Sequence, residues 1–239
     1  MSWQQKAGIA VGVSFLAGYT GYWANYAVKR RRESAARRAT DDGEAGGIGQ
    51  DAPVSPAALA AQVERVRRLP AIVEHTGTPK PFANVWTDRQ KRIPLVYFGY
   101  ARCPDICPAE LKRLALVLAA LPVKVASQIQ PIFVTLDPAR DSAGGLRDYL
   151  SEFSPDLVGV TGTPATINGL RRAYNVYSAK AMFDDDDYLL DHSIMFLVLN
   201  ERGEYQKFYD SHATSEEIVQ DLTERVSRLT TAPSKGEDA

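Results

Sequence analysis

The stretch Pro94-Leu95-Val96-Tyr97-Phe98-Gly99-Tyr100 is one continuous apolar run, and Cys103-Pro104-Asp105-Ile106-Cys107 follows it almost at once. Behind the cysteines, Leu111, Leu114, Leu118 and Leu121 recur at helical spacing. A buried strand is therefore expected to feed a short turn and a helix over residues 107–121, with both sulfurs at the junction. An i, i+4 pair on a helix shares one face. The unpaired amides and positive dipole end of a helix start favour thiolate over thiol. Two neighbouring thiolates can exchange disulfides or grip a soft metal ion, and the pair alone leaves both chemistries open.

The rest of the chain repeats the strand-then-helix rhythm. Residues 131–136 read as a second apolar strand, and Leu146, Tyr149, Leu150 and Phe153 mark the next helix. A short strand over Leu157–Val160 leads to Thr163-Pro164, a cap and first-position proline, and a helix through Ile167, Leu170 and Tyr174. Ile194–Leu199 and Glu204–Tyr209 form a hairpin around Asn200-Glu201-Arg202-Gly203. Thr214 and Glu217 make a capping box for a last helix with Ile218, Leu222 and Val226 inward. Upstream, Ser55 and Pro56 start a short helix with Leu59, Val63 and Val66 on one face, and Phe82–Trp86 reads as a weak strand. This order predicts an α/β fold of the thioredoxin-like class, with helices on both faces of a mixed central sheet. Parallel strands buried on both faces explain the unbroken apolar runs.

Gly8 to Val28 carry no charged side chain, and 21 residues at ~1.5 Å each reach roughly 31 Å, the hydrocarbon thickness of a bilayer. Tyr19, Tyr22, Trp23 and Tyr26 crowd its C-terminal half, as aromatic residues do at a membrane interface. A signal peptide fits poorly, because Lys6 alone makes up the charged leader and the apolar stretch is long. Lys29, Arg30, Arg31, Arg32, Arg37 and Arg38 follow, suited to anionic headgroups, and then the polar, glycine-rich 40–49 stretch. The expected organisation is an anchor over 1–28, a basic segment, tether and short helix over 29–70, a folded domain over 71–232 and a tail over 233–239.

With a formal net charge of −1, the chain lacks the basic field that a nucleic-acid partner requires. Two cysteines exclude a disulfide-rich scaffold and a Cys₄ zinc site. The three histidines, His75, His192 and His212, lack the close spacing of a zinc finger.

Tyr97-Phe98-Gly99-Tyr100-Ala101-Arg102-Cys103-Pro104-Asp105-Ile106-Cys107-Pro108-Ala109-Glu110-Leu111 closely resembles the signature of the Sco/SenC copper-chaperone family. Further blocks agree in order: Val134 to Asp141, Gly159 to Thr163, Tyr174 to Tyr177, and Asp191-His192-Ser193. The resemblance covers about residues 94–200. It implies a membrane-tethered, thioredoxin-like domain that binds one copper ion through Cys103, Cys107 and His192. It further implies a role in building the dinuclear copper-A centre of cytochrome c oxidase subunit II, with an upstream copper donor protein as second partner. The glycine and Gly-Lys pattern that usually precedes the first core strand is replaced by Lys91-Arg92-Ile93, so the hairpin within 71–93 is expected to be short or irregular.

The donor chemistry agrees with copper. Two thiolates suit Cu(I), and an imidazole makes Cu(II) tolerable. His192 is expected to open a central strand beside the cysteine turn, while His75 and His212 receive no role. Asp105 and Asp191 could steer the imidazole or serve capping and solubility. Asp137, Arg140 and Asp141 are expected to form a local salt bridge and a helix start, with contact to a partner as the alternative. The Asp184–Asp187 run reads as a solvated loop or a docking surface.

A metal carrier, with accessory thiol chemistry, is favoured over an enzyme. The alternatives are a thiol–disulfide oxidoreductase acting on the same target's cysteines and a redox or copper sensor. No proline stands in Asp191-His192-Ser193-Ile194, where thioredoxin-like reductases carry one, and that favours metal binding. By the positive-inside rule the cations after the span keep the domain on the cytoplasmic or matrix side, whereas the resemblance implies the far side of the membrane, and mitochondrial members of the family often carry a similar basic stretch. The expected location is the mitochondrial inner membrane, single-pass, with the domain in the intermembrane space; a bacterial inner membrane with a periplasmic domain is the alternative.

Overall fold

The computed structural model describes residues 55–182 and 188–231. The expected span at 8–28, the basic segment and tether up to residue 54, the Asp184–Asp187 run and the tail lie outside the described residues. Among the described residues no helix is long and apolar enough to cross a membrane.

Helix α1 (Pro56–Arg67) is followed by a hairpin of β1 (Ile72–Glu74) and β2 (Pro79–Lys80), and by the one-turn helix α2 (Asn84–Thr87). Then come β3 (Ile93–Gly99), α3 (Ile106–Ala120), the short α4 (Val123–Ala126), β4 (Ile129–Thr135), α5 (Ala143–Ser151), β5 (Val158–Thr161) and α6 (Pro164–Ala173). The chain closes with β6 (Ser178–Met182), β7 (Tyr188–His192), β8 (Met195–Leu199), β9 (Tyr205–Asp210) and α7 (Ser215–Thr231). Seven strands form one sheet in the order β2-β1-β5-β4-β3-β8-β9. Strands β3, β4 and β5 are parallel, and the strands flanking them run antiparallel, so the sheet is mixed as expected.

All seven residues of β3 are buried. Side chains alternate across a strand, so Leu95 and Tyr97 join one core while Val96 and Phe98 join the other. The first core is closed by α3, α5 and α7 through Leu111, Leu114, Leu146, Leu150, Ile218 and Leu222. The second is closed by α1, α2 and α6 through Val66, Val85, Trp86, Ile167 and Leu170. Each such side chain contributes about 1.5–3 kcal/mol on leaving water, which is why the central strands carry no polar face.

The caps hold as the sequence predicts. Ser55 accepts from the Ala58 amide, and Thr163 from the Thr166 amide. In the capping box, the Thr214 amide donates to Glu217 Oε2 at 2.8 Å and the Glu217 amide to Thr214 Oγ1 at 3.2 Å. The β1–β2 hairpin is short, with two paired positions.

Three expectations change. Phe82–Trp86 is not a strand: Phe82, Val85 and Trp86 follow helical spacing, and the Phe82 and Trp86 rings meet edge-on at 5.4 Å across one turn. Helix α1 turns Gln62 inward with Val66, and leaves Val63 half-buried. Gln62 fits because both ends of its amide are satisfied: Nε2 donates to the Ala173 carbonyl at 3.0 Å, and Oε1 accepts from the Tyr205 amide at 3.3 Å. Finally, His192 does not open the central strand. It closes β7, in a separate two-stranded sheet with β6 that the sequence did not reveal.

Candidate metal centre

The parallel strands β3 and β4 end at Gly99 and Thr135, and the cysteine turn rises from the first of these ends. Cys103 sits in that turn, its amide donating to the Tyr100 carbonyl at 3.2 Å. Cys107 is the second residue of α3. The two are therefore not stacked on one helix face. The helix start instead wraps over Cys103, and the Cys107 amide donates to Cys103 Sγ at 3.4 Å.

Both thiols are free, and both are buried rather than exposed, as a bare turn would leave them. Gly99 makes this possible. A β-carbon there would stand 2.9 Å from Cys107 Sγ and 3.0 Å from the Phe133 and Tyr97 rings. The Tyr97 hydroxyl lies 3.7 Å from the same sulfur and can donate to it.

The two thiols differ electrostatically. Cys103 is held well below the ordinary thiol range, chiefly by the Cys107 thiol that donates to it. Burial opposes this, while the His192 ring and the amides of Cys107 and Asp105 add to it. Cys107 is pushed up, first by donating to Cys103 and then by burial and the charge of Cys103. The pair thus shares one proton, where the helix start alone suggested two thiolates.

His192 comes from 85 residues away, and its Nε2 stands 3.4 Å from Cys107 Sγ. Its Nδ1 lies 2.9 Å from the Ser193 carbonyl oxygen. A carbonyl only accepts, so Nδ1 carries a proton, and Nε2 is the ring atom turned toward the sulfurs. The Nδ1 side of the ring is thus oriented by a backbone carbonyl. Asp105 is exposed and makes no side-chain cap to α3. The Ser193 backbone is itself fixed: its amide donates to the Tyr177 carbonyl at 3.1 Å, and its hydroxyl accepts from the Tyr177 amide at 3.0 Å. Tyr97 and Tyr100 pack edge-on against the imidazole at 6.1 and 6.0 Å. Burial first, then the Cys103 charge, lifts the Tyr100 hydroxyl to about 12 against the pull of the Leu190 amide, so it stays neutral.

The sequence singles out the three candidate donors but not Gly99, Tyr97, Tyr100 or Ser193, which pack around them or hold their backbone. The available signal was the strand period, which turns Tyr97 and Gly99 to the same face. The two remaining histidines stand apart. His75 exchanges two hydrogen bonds with Gly159 at the β1–β5 edge, and His212 is exposed beyond β9.

Bond lengths of ~2.3 Å to sulfur and ~2.0 Å to nitrogen separate two donors on one metal by roughly 3.5–3.7 Å at tetrahedral to trigonal angles. The observed 3.4 Å between Cys107 Sγ and His192 Nε2 is slightly tighter than that. Consistently, among the described residues no group of three Cys, His, Asp or Glu side chains already stands as a formed metal cage. The chemistry of the donor set fits a soft ion that parts these atoms by a few tenths of an ångström.

Comparison with known proteins agrees with this geometry. The SCO1/SenC family model matches residues 72–227. A protein of Mus musculus named mitochondrial SCO2 homolog is 35% identical over 159 residues, covering 66% of this chain and 61% of its own. The chain spans about half the length of the curated relatives it matches, from 42% to 61% for the mouse, Arabidopsis thaliana and two yeast proteins. The crystal structure of Arabidopsis thaliana ScoI with copper bound superposes with a TM-score of 0.59 at 29% identity, over 68% of this chain and 99% of that one. Yeast Sco1 with copper bound gives 0.60 at 31% identity, over 73% and 96%.

Proposed function

The chain belongs to the SCO1/SenC family, and from that premise we propose that it is a membrane-tethered copper metallochaperone. In this reading it carries one copper ion on Cys103, Cys107 and His192. It supports assembly of the copper-A centre of cytochrome c oxidase subunit II, receiving the ion from an upstream donor protein. The observation that carries the reading is His192: a ring locked at Nδ1, with Nε2 facing a sulfur 3.4 Å away. The copper-bound structures of the Arabidopsis and yeast relatives support copper as the ion.

Two sulfurs and one imidazole suit Cu(I) and tolerate Cu(II). With both thiols ionised the net charge is −1 with Cu(I) and zero with Cu(II), so one site can hold either. Three ligands also leave room for a partner's cysteine to enter the coordination sphere during transfer. The mitochondrial names of the relatives support a mitochondrial location, and this reading places the protein at the inner membrane. Residues 8–28 would be the anchor there, with the domain in the intermembrane space. Protease protection in intact and outer-membrane-ruptured mitochondria tests that arrangement.

Electron paramagnetic resonance of the Cu(II)-loaded full chain tests the ligand set. Sulfur and nitrogen coupling are expected in the wild type, and the nitrogen signal is expected to vanish in His192→Ala. An unchanged spectrum in that variant defeats the assignment.

A second reading, thiol–disulfide exchange on the same target, draws support from the proton shared unequally by the pair. Cys103 has the thiolate character of an attacking group, and buried Cys107 that of a resolving one. Reduction of a subunit II disulfide peptide by the metal-free chain, lost in Cys103→Ser, would favour it.

A further inference from the structure

The two halves of the metal centre are held by separate parts of the fold, and one loop touches both. Strand β7 and its partner β6 form a sheet of their own, outside the seven-stranded one. On β7, Tyr188, Leu190 and His192 alternate toward the body of the domain. Leu190 is buried in the core that also holds the cysteines, and His192 reaches Cys107.

Tyr188 docks on the loop that follows β4. Its hydroxyl donates to Asp137 Oδ1 at 2.6 Å, and its carbonyl accepts from Arg140 Nη2 at 2.9 Å. The Arg140 guanidinium lies over the Tyr188 ring, 3.6 Å from its centre, and Arg140 Nε donates to Asp137 Oδ2. Asp137, Arg140 and Tyr188 thus close a triangle, each bonded to the other two. The other end of the same loop holds the cysteine turn: Asp141 Oδ2 accepts from the Ala101 amide at 3.0 Å and from Thr135 Oγ1 at 2.6 Å. Thr135 Oγ1 in turn accepts from the Asp137 amide at 2.8 Å, which ties the two ends together. Asp137 and Asp141 are 3% and 4% exposed, so these bonds are largely shielded from water.

Beneath the hairpin lies a cavity of about 300 Å³ bounded by Pro138, Ile167, Arg171, Lys180 and Tyr188. The β6–β7 pair therefore borders open space on the side of α6, with Asp137 and Tyr188 of the triangle on its wall. Four residues of strand make a lever of roughly 13 Å from Tyr188 to His192. A tilt of about 5° at the clasp then moves the imidazole by about 1 Å, enough to separate it from the sulfurs' common ligand position.

We propose that the loop Asp137–Asp141 is the strut that sets the distance between the Cys103–Cys107 turn and His192, with Arg140 as its positioning residue. This goes beyond the local salt bridge that the sequence suggests for these residues, and it rests on His192 being a ligand, as proposed above. Arg140 positions rather than ligates: its planar fork bonds Asp137 and the Tyr188 carbonyl while its face covers the ring, a combination an ammonium group cannot reproduce.

The test uses the full chain with Arg140→Lys and Tyr188→Phe. Hydrogen exchange of the metal-free protein reads the strut without copper. Amides of residues 188–192 should exchange about tenfold faster in Arg140→Lys and about threefold faster in Tyr188→Phe, while Val96–Phe98 stay unchanged. With copper loaded, loss to a chelator should quicken about tenfold in Arg140→Lys, and the nitrogen coupling should split into two populations. The double variant should be no worse than Arg140→Lys, because the triangle is already open. Unchanged hairpin exchange in both variants overturns the strut. Faster hairpin exchange together with a wild-type spectrum lacking nitrogen keeps the strut and overturns His192 as ligand.

Discussion

Gly99 and Cys107 share one pocket wall: the glycine ends β3, the cysteine lies in the first turn of α3, and the missing side chain is the space that the sulfur fills. Neighbouring Tyr97 and Phe133 crowd the same point, so the sulfur has little room to retreat. The proposed metal site is thus built on a packing vacancy at the end of a central strand.

Gly99→Ala should be destabilising by about 1–3 kcal/mol, the usual cost of overpacking a close-fitted core. Urea denaturation of the metal-free chain measures it. Copper affinity should fall in the same variant, because the Cys107 sulfur is the first atom the new methyl meets. A variant with wild-type stability and affinity would contradict the pocket.

His192→Ala should weaken Cu(I) binding by more than ~100-fold, a loss larger than that of an outer-shell partner. Competition against a chelator of known affinity gives the number. Reactivity of the cysteines toward a disulfide should persist, since Cys103 takes its thiolate character first from Cys107.

The unequal thiols predict a distinctive pH profile. An ordinary thiol near ~8.5 loses alkylation reactivity as pH falls below it. Cys103, held low, stays ionised through neutral pH and loses reactivity only in acid. Cys107, pushed up, remains a thiol and is unmodified at neutral pH. Mass mapping after brief alkylation of the folded chain between pH 5 and pH 8, roughly the range where an unperturbed thiol fades, reads both residues. Equal labelling of the two would refute the shared proton.

Helix α1 is expected to be part of the stable body. Removing residues 1–70 would strip Val66 from its core and leave the Ala173 carbonyl and Tyr205 amide without their Gln62 partners. A loss of about 2–5 kcal/mol relative to a chain beginning at residue 55 is the expected result, measured by denaturation. Equal stability would mean that α1 merely lies on the surface.

The legible parts of this fold are those where local pattern and burial agree. Residues 94–100 advertise a strand because both faces are buried, and Thr163-Pro164 and Thr214–Glu217 announce helix starts through their own side chains. Gln62 was not legible, because a polar residue points inward only when its partners, 111 and 143 residues away, are known. The β6–β7 sheet was hidden for a different reason. Ser178-Ala179-Lys180-Ala181-Met182 has no β-branched or aromatic residue, so only its pairing with β7 makes it a strand. His192 stood out as a candidate ligand from its sequence block, and the structure sets it beside Cys107, whereas its address at the close of β7 depended on that unseen pairing.

The separation of the donors along the chain has a consequence for biogenesis. The two sulfurs meet through a local strand–turn–helix, while the ring must cross 85 residues, and loop closure over that distance is slower. During synthesis Cys103 and Cys107 emerge at least 85 residues before His192, as a dithiol without its imidazole. Pulse labelling of nascent chains should find Cys107 reactive before residue 192 emerges and protected in the finished domain, while Cys103 stays reactive throughout.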